Sequence, residues 1–170
     1  SIIDTMTKKN LIPWCLSLLH KSRGVHVFCL DFSSALLANI LHASTTLEML
    51  EANERVTFET MDSLLTLINQ PDTELPTSVL IHCLICLSYL SKERFSKTID
   101  STNFVDRISQ FVETFSMKQI GESDHESSDK KTILDLCAHM FHPKDTTNAN
   151  DVSATMEYNE LKQEEKIREF

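Results

Sequence analysis

Glycine and proline are nearly missing from this chain, at 2 and 4 of 170 residues. β-Hairpin turns draw heavily on Gly, so their scarcity argues against a hairpin-built sheet and for helices joined by short polar links. Tryptophan occurs once, at Trp14. No apolar run approaches the roughly 20 residues needed to span a bilayer, so no membrane insertion is expected. The opening SIIDTMTKKN has no signal-peptide hydrophobic region. Because the first residue is Ser rather than Met, an excised piece of a longer protein, or a processed chain, is expected. Basic charge is in deficit too. The net charge is −9, which disfavours nucleic-acid backbones and anionic membranes as main partners. Gly24 and Gly121 stand alone, so no glycine-rich phosphate loop exists.

What is present is helical periodicity. At 41% hydrophobic and 24% charged residues, the chain is rich enough in apolar side chains to build a core. The organising stretch is Asn10–Ser44. Pro13 suits a first helical position, where its missing N–H is unpaired anyway, and residues 1–9 are expected to be a short preceding helix. Cys15, Leu16, Leu18 and Leu19 then mark one helical face. Lys21 to Gly24 supplies a basic C-terminus and a glycine to end the helix. The next helix is expected to turn Phe32, Leu36, Leu37 and Ile40 inward. Its small residues, Ser33, Ser34, Ala35 and Ala38, permit close packing on a neighbour.

Residues 45–70 read as a further helix, capped by Thr45 or Thr46, with Phe58, Met61, Leu64, Leu65 and Ile68 as its stripe. Pro71 ends it. A helix apolar nearly all round, SVLIHCLICLSYLS, follows Pro76 and is expected to be buried on most sides. A short amphipathic piece with Phe95 and Ile99 comes next. Then, from Ser101 or Thr102, a helix turns Phe104, Val105, Ile108, Phe111, Val112 and Phe115 inward. Ile12–Leu19 overlays Met61–Ile68, and less closely Val105–Val112. Phe32–Ile40 overlays His82–Leu90. The offsets of roughly 44–50 residues are those of HEAT and armadillo units. No unit can bury its apolar face alone, so neighbours must stack.

Composition changes after residue 116. Residues 117–131 are expected to be an acidic flexible linker. Residues 132–170 are expected to hold a short amphipathic helix, with Ile133, Leu136, Cys137, Met140 and Phe141 apolar, and a largely disordered charged tail. From Met117 onward about 12 acidic residues face about 7 basic ones. The tail reads either as a frayed helix or as a strand that docks on the repeats or on a partner. Ser123, Ser127 and Ser128, set among acidic residues, are candidates for phosphorylation.

Pattern and spacing resemble armadillo repeats. Asn10-Leu11-Ile12-Pro13-Trp14-Cys15-Leu16 is similar to the start of the family's second helix, and Ala35-Leu36-Leu37-Ala38-Asn39-Ile40 to the end of its third. More narrowly, Leu30-Asp31-Phe32-Ser33-Ser34-Ala35-Leu36-Leu37-Ala38-Asn39 resembles the armadillo repeat-containing protein 9 family of cilium and basal-body proteins. Helices followed by an acidic region is that family's order as well; its LisH motif does not occur in this sequence. The resemblance implies an all-α, armadillo/HEAT-like right-handed α-solenoid of about two to three repeats over residues 1–116. It also implies a non-catalytic scaffold that binds other proteins, microtubule-associated ciliary proteins among them, in the cytoplasm at the cilium or basal body. A general cytosolic adaptor for linear peptides is the other reading. No cofactor, metal or small-molecule substrate is expected.

The resemblance places Asp31, Ala35, Asn39 and His42, with Ile85 and Tyr89 of the next unit, on a concave partner groove. The other reading of this face is packing against the rest of a larger protein or the chain's own tail. Ala35 and Ile85 stand where nuclear-import receptors carry Trp, so no aromatic walls await a basic peptide. Trp14 is either an inter-repeat packing residue or an exposed anchor. The five cysteines, Cys15, Cys29, Cys83, Cys86 and Cys137, read as reduced thiols of an intracellular protein, mostly in its core. His82, Cys83 and Cys86 lack the second pair that a structural zinc site needs, and Cys137, His139 and His142 are loosely spaced.

Overall fold

The computed structural model describes residues 2–21, 24–70, 75–118 and 124–141. Eight α-helices occur among them: α1 (Ile2–His20), α2 (Val27–His42), α3 (Ser44–Glu51), α4 (Glu54–Ile68), α5 (Thr77–Leu90), α6 (Ser96–Ser101), α7 (Phe104–Met117) and α8 (Asp124–Phe141). A single 3-10 turn, Glu93–Phe95, leads into α6. The helices stack as two ladders. α2, α5 and α8 pack in series, and so do α1, α4 and α7. The short α3 and α6 bridge the units, each resting on α4. The units are therefore α1–α2, α3–α4–α5 and α6–α7–α8, an all-α solenoid.

The cores of the units are in register. Ile12, Cys15, Leu16 and Leu19 of α1 correspond to Met61, Leu64, Leu65 and Ile68 of α4, and all eight are buried. In α7 the register slips by one residue from the expected overlay: Phe104, Ile108 and Phe111 are buried while Val105 is 50% exposed. In the third helices Ser33 and Leu37, Cys83 and Leu87, and Ile133 and Cys137 hold the same inward positions. The α4–α7 seam also carries polar bonds. The Arg107 guanidinium donates to Asp62 Oδ1 at 2.6 Å and Thr66 Oγ1 at 2.7 Å, and Asn69 Nδ2 donates to the Arg107 carbonyl at 3.1 Å.

Several expectations need correction. Pro13 lies inside α1 rather than at its start. It is exposed, so the bond it cannot donate is lost on the solvent side, where the loss costs least. α2 is rotated from its expected orientation. It buries Leu30, Ser33, Ser34, Leu37, Ala38 and Leu41 and leaves Phe32 64% exposed. Small side chains win the interior because they allow close approach to both α1 and α5. The two hydroxyls are satisfied locally, Ser33 Oγ by the Cys29 carbonyl at 2.6 Å and Ser34 Oγ by the Asp31 carbonyl at 3.0 Å.

The single helix expected over 45–70 is two. Asn53 breaks it and caps α4, its Oδ1 accepting from the Val56 N–H at 3.3 Å, and Phe58 is 40% exposed. Neither Thr45 nor Thr46 caps: α3 starts at Ser44 behind Ala43, and the chain turns 79° between α2 and α3. Ser101 and Thr102 close α6 rather than open α7, which follows Asn103 in a left-handed conformation (φ 53°). Residues 124–131, expected as linker, belong to α8. Ile133, Leu136, Cys137 and Met140 of α8 join the common core. The expected tail from residue 142 onward, and candidate Ser123, lie outside the described residues.

α5 is the most enclosed helix, with every residue from Cys83 to Leu90 buried. Leu87→Asp would place an unpaired carboxylate where exposure is 0%, at a cost of several kcal/mol. The expected result is loss of the cooperative thermal transition; a transition near the wild-type temperature would show that α5 is not central.

Candidate interaction surface

Two side-chain bridges tie α2 to α5. His82 Nδ1 lies 2.9 Å from Ser34 Oγ. Since Ser34 gives its proton to the Asp31 carbonyl, His82 is the donor in that pair. The Asp31 carboxylate stands 3.9 Å from the same Nδ1, and its buried Oδ1 accepts no hydrogen bond. Further along, His42 Nδ1 and the Tyr89 hydroxyl are 3.0 Å apart, the two rings tilted by 53°. Burial holds the His82 imidazole below the ordinary histidine value, with Asp31 pulling the other way. Burial pushes the Tyr89 hydroxyl up to about 12.

These contacts locate the expected groove residues. Asn39 and His42 are exposed on α2, and Asp31 and Ala35 are partly so. Ile85 and Tyr89 are 6% and 7% exposed, so they belong to the α5 interior and offer a ligand almost no surface. The structure thus brings Asp31, His42 and Tyr89 into one seam, with Asn39 and Ala35 on the open side of α2. Trp14 is 49% exposed on α1.

The seam role of His82 was not foreseen: its sequence neighbours Cys83 and Cys86 drew attention to metal spacing instead. Phe28 and Phe32, 77% and 64% exposed, were missed as surface residues too. The available signal was their i, i+4 spacing with Ala35 and Asn39, an uncharged stripe opposite the small residues. A separate cleft between α3 and α6 is lined by Glu51, Glu54, Arg94 and Lys97. Its charges pair across it, Arg94 with Glu51 at 3.8 Å and Lys97 with Glu54 at 3.6 Å.

The cysteines split sharply. Cys15, Cys83, Cys86 and Cys137 are buried and Cys29 is exposed. Burial raises the thiol pKa of Cys83 and Cys137 to about 12 and pushes that of Cys86 well above the ordinary thiol value too. They are packing groups in their protonated form. Among the described residues no group of three His, Cys, Asp or Glu is placed to hold a metal ion. No single described helix is long and apolar enough to cross a membrane.

Two measurements follow. An aromatic disulfide reagent at neutral pH is expected to label one thiol, Cys29, rapidly in the native protein and all five in denaturant; fast labelling of a second would mean the core is open. His82, depressed in the fold, binds fewer protons than in the unfolded chain below about pH 6.5. Its contribution to stability is therefore present above about pH 6.5 and lost as pH falls through the folded value. His82→Gln is expected to lose less melting temperature than wild type between pH 7.5 and 5.5; equal losses would remove His82 from the seam's pH response.

Comparison with known families bears on all of this. The model described as the ARM repeats of the LisH domain-containing protein ARMC9 matches residues 6–125, from within α1 to the first turn of α8. No curated protein and no solved structure matches the chain. With most of its length in that match and its helices stacked in armadillo-like units, the chain belongs to the ARM-repeat family of the LisH domain-containing protein ARMC9.

Proposed function

We propose that the protein is a non-catalytic scaffold of ciliary or basal-body assemblies, working in the cytoplasm by binding other proteins on its helical surface. The observation that carries this reading is the family match over residues 6–125. The chemistry of the surface agrees with it. The open side of α2 offers apolar and amide groups, Phe28, Phe32, Ala35 and Asn39, and the seam beside it is closed by His42 and Tyr89. Such a surface recognises a partner by shape and apolar contact with a polar rim, and has no group placed for bond-making. Microtubule-associated proteins of the cilium are the first partners to test. The phosphorylation candidates Ser127 and Ser128 are the fourth and fifth residues of α8, so a phosphate there would lie near that helix's N-terminal end.

The test is the position of the tagged protein in a ciliated cell beside a basal-body marker. Enrichment at basal bodies or along the cilium is the expected outcome. A diffuse cytosolic or nuclear signal would discard the ciliary assignment and put the general peptide-binding adaptor in its place.

A further inference from the structure

Charge is divided along this chain. Residues 1–47 hold 4 Lys or Arg and 2 Asp or Glu, a net of +2, while residues 48–170 hold 12 and 23, a net of −11. No carboxylate side chain occurs between Asp4 and Asp31. The first unit is a cationic end on an anionic stack, and the field of the molecule draws an acidic ligand to that end.

α1 gives this end a surface. It packs on α2, α3 and α4, with Ile12, Cys15, Leu16 and Leu19 buried. From residue 10 onward its exposed side chains are Asn10, Pro13, Trp14, Ser17 and His20, and exposed Lys21 follows. Their spacing of three and four places all six on one face. Lys21 extends the last turn, its N–H bonding the Ser17 and Leu18 carbonyls at 3.3 and 3.2 Å. The face is about 16 Å long, room for about five residues of extended chain. Asn10, Trp14, Ser17, His20 and Lys21 can each donate a hydrogen bond, and none of them is acidic. The Lys21 ammonium joins no ion pair among the described residues. The negative end of the α1 dipole accounts for two basic groups at its C-terminus. It does not account for an indole ring left 49% exposed within two turns of them.

We propose that this face of α1 binds a short acidic linear segment of a partner protein, its carboxylates against Lys21 and His20 and an apolar side chain laid on the Trp14 ring. An indole with a bare N–H beside a cation suits such a segment on both counts, since the ring supplies apolar area and the N–H a donor for a carboxylate. A long polyanion is disfavoured, because it would run on into the acidic units. The surface lies on a different helix from the open side of α2, and the inference does not rest on the ciliary reading.

Trp14 is the only tryptophan of the chain, so its emission reports on this face alone. The experiment uses the full 170-residue chain at low ionic strength and neutral pH. Iodide is expected to quench Trp14 more efficiently than caesium, each relative to N-acetyltryptophanamide, although the protein as a whole is acidic; the reverse order overturns the proposal. The acetylated and amidated peptide Glu-Glu-Leu-Glu-Glu should shift the emission saturably, and less so as salt is added. Lys21→Glu should weaken that binding at least about fivefold with an unchanged far-ultraviolet spectrum. Lys131→Glu, the same change of net charge at an exposed position of α8, should leave it within about twofold. By calorimetry, Trp14→Ser should also lose at least about fivefold. An emission unmoved up to about 5 mM peptide overturns the proposal, as does equal weakening by Lys21→Glu and Lys131→Glu. Tighter binding of a single-stranded oligonucleotide would assign the face to nucleic acid and overturn it too.

Discussion

Everything in this chain depends on α5 having nothing to offer water. A helix apolar on nearly all sides must be enclosed on nearly all sides, and one neighbour cannot do that. α2 covers it from one flank, α8 from the other, and α4 packs against it as well. The hydrophobic requirement of a single fourteen-residue segment thereby sets the minimum size of the stack at three units. It also explains why α8, polar over its first turn, is recruited into the core through Ile133, Leu136, Cys137 and Met140. Without that covering, the Cys86–Leu90 stretch would have one side in solvent.

Polar groups work at the seams rather than at a site. Arg107 reaches across from α7 to α4, His82 and Tyr89 from α5 to α2, and Asn69 from α4 to the α7 backbone. The α2–α5 and α4–α7 seams are thus fixed in register by a few directional bonds set into otherwise apolar contacts, which slide easily on their own. The same residue types elsewhere build active sites. Here Ser34, His82 and Asp31 converge, but Ser34 and Asp31 both approach the same ring nitrogen. Among the described residues no second partner orients the imidazole from behind, and Ser34 is spent on its own helix. The cluster positions helices.

The fold was legible because periodicity and repeat spacing survive without context. The correspondence of Ile12–Leu19 with Met61–Ile68 is plain in the letters, and the four buried positions of the first are buried in the second, which buries Leu67 as well where Leu18 stays half-buried. Boundaries were less so. Pro13 reads as a start because proline usually is one; it is tolerated inside α1 by facing outward. Asn53 reads as one more polar residue in a helix until its side chain is seen to cap. The surface was hardest. Hydrophobicity assigns Phe32 inward, yet burial in α2 is decided by fit, and Ser33, Ser34 and Ala38 fit where a ring does not. Ile85 and Tyr89 are buried for the converse reason: neighbouring helices close over them.

The corners of the solenoid are made almost without glycine. His26, Asn53, Pro76 and Asn103 stand at the helix starts instead, and the only positive-φ residues described are Asn103 and Gly24. Such corners resist rotation, proline because its ring fixes φ and the asparagine and histidine because side-chain bonds or a narrow left-handed well hold them. A pull along the stack therefore finds few hinges. It is shared among the seams, where the Ser34–His82, His42–Tyr89 and Asp62–Arg107 contacts lengthen together, and the molecule behaves as a short, stiff spring.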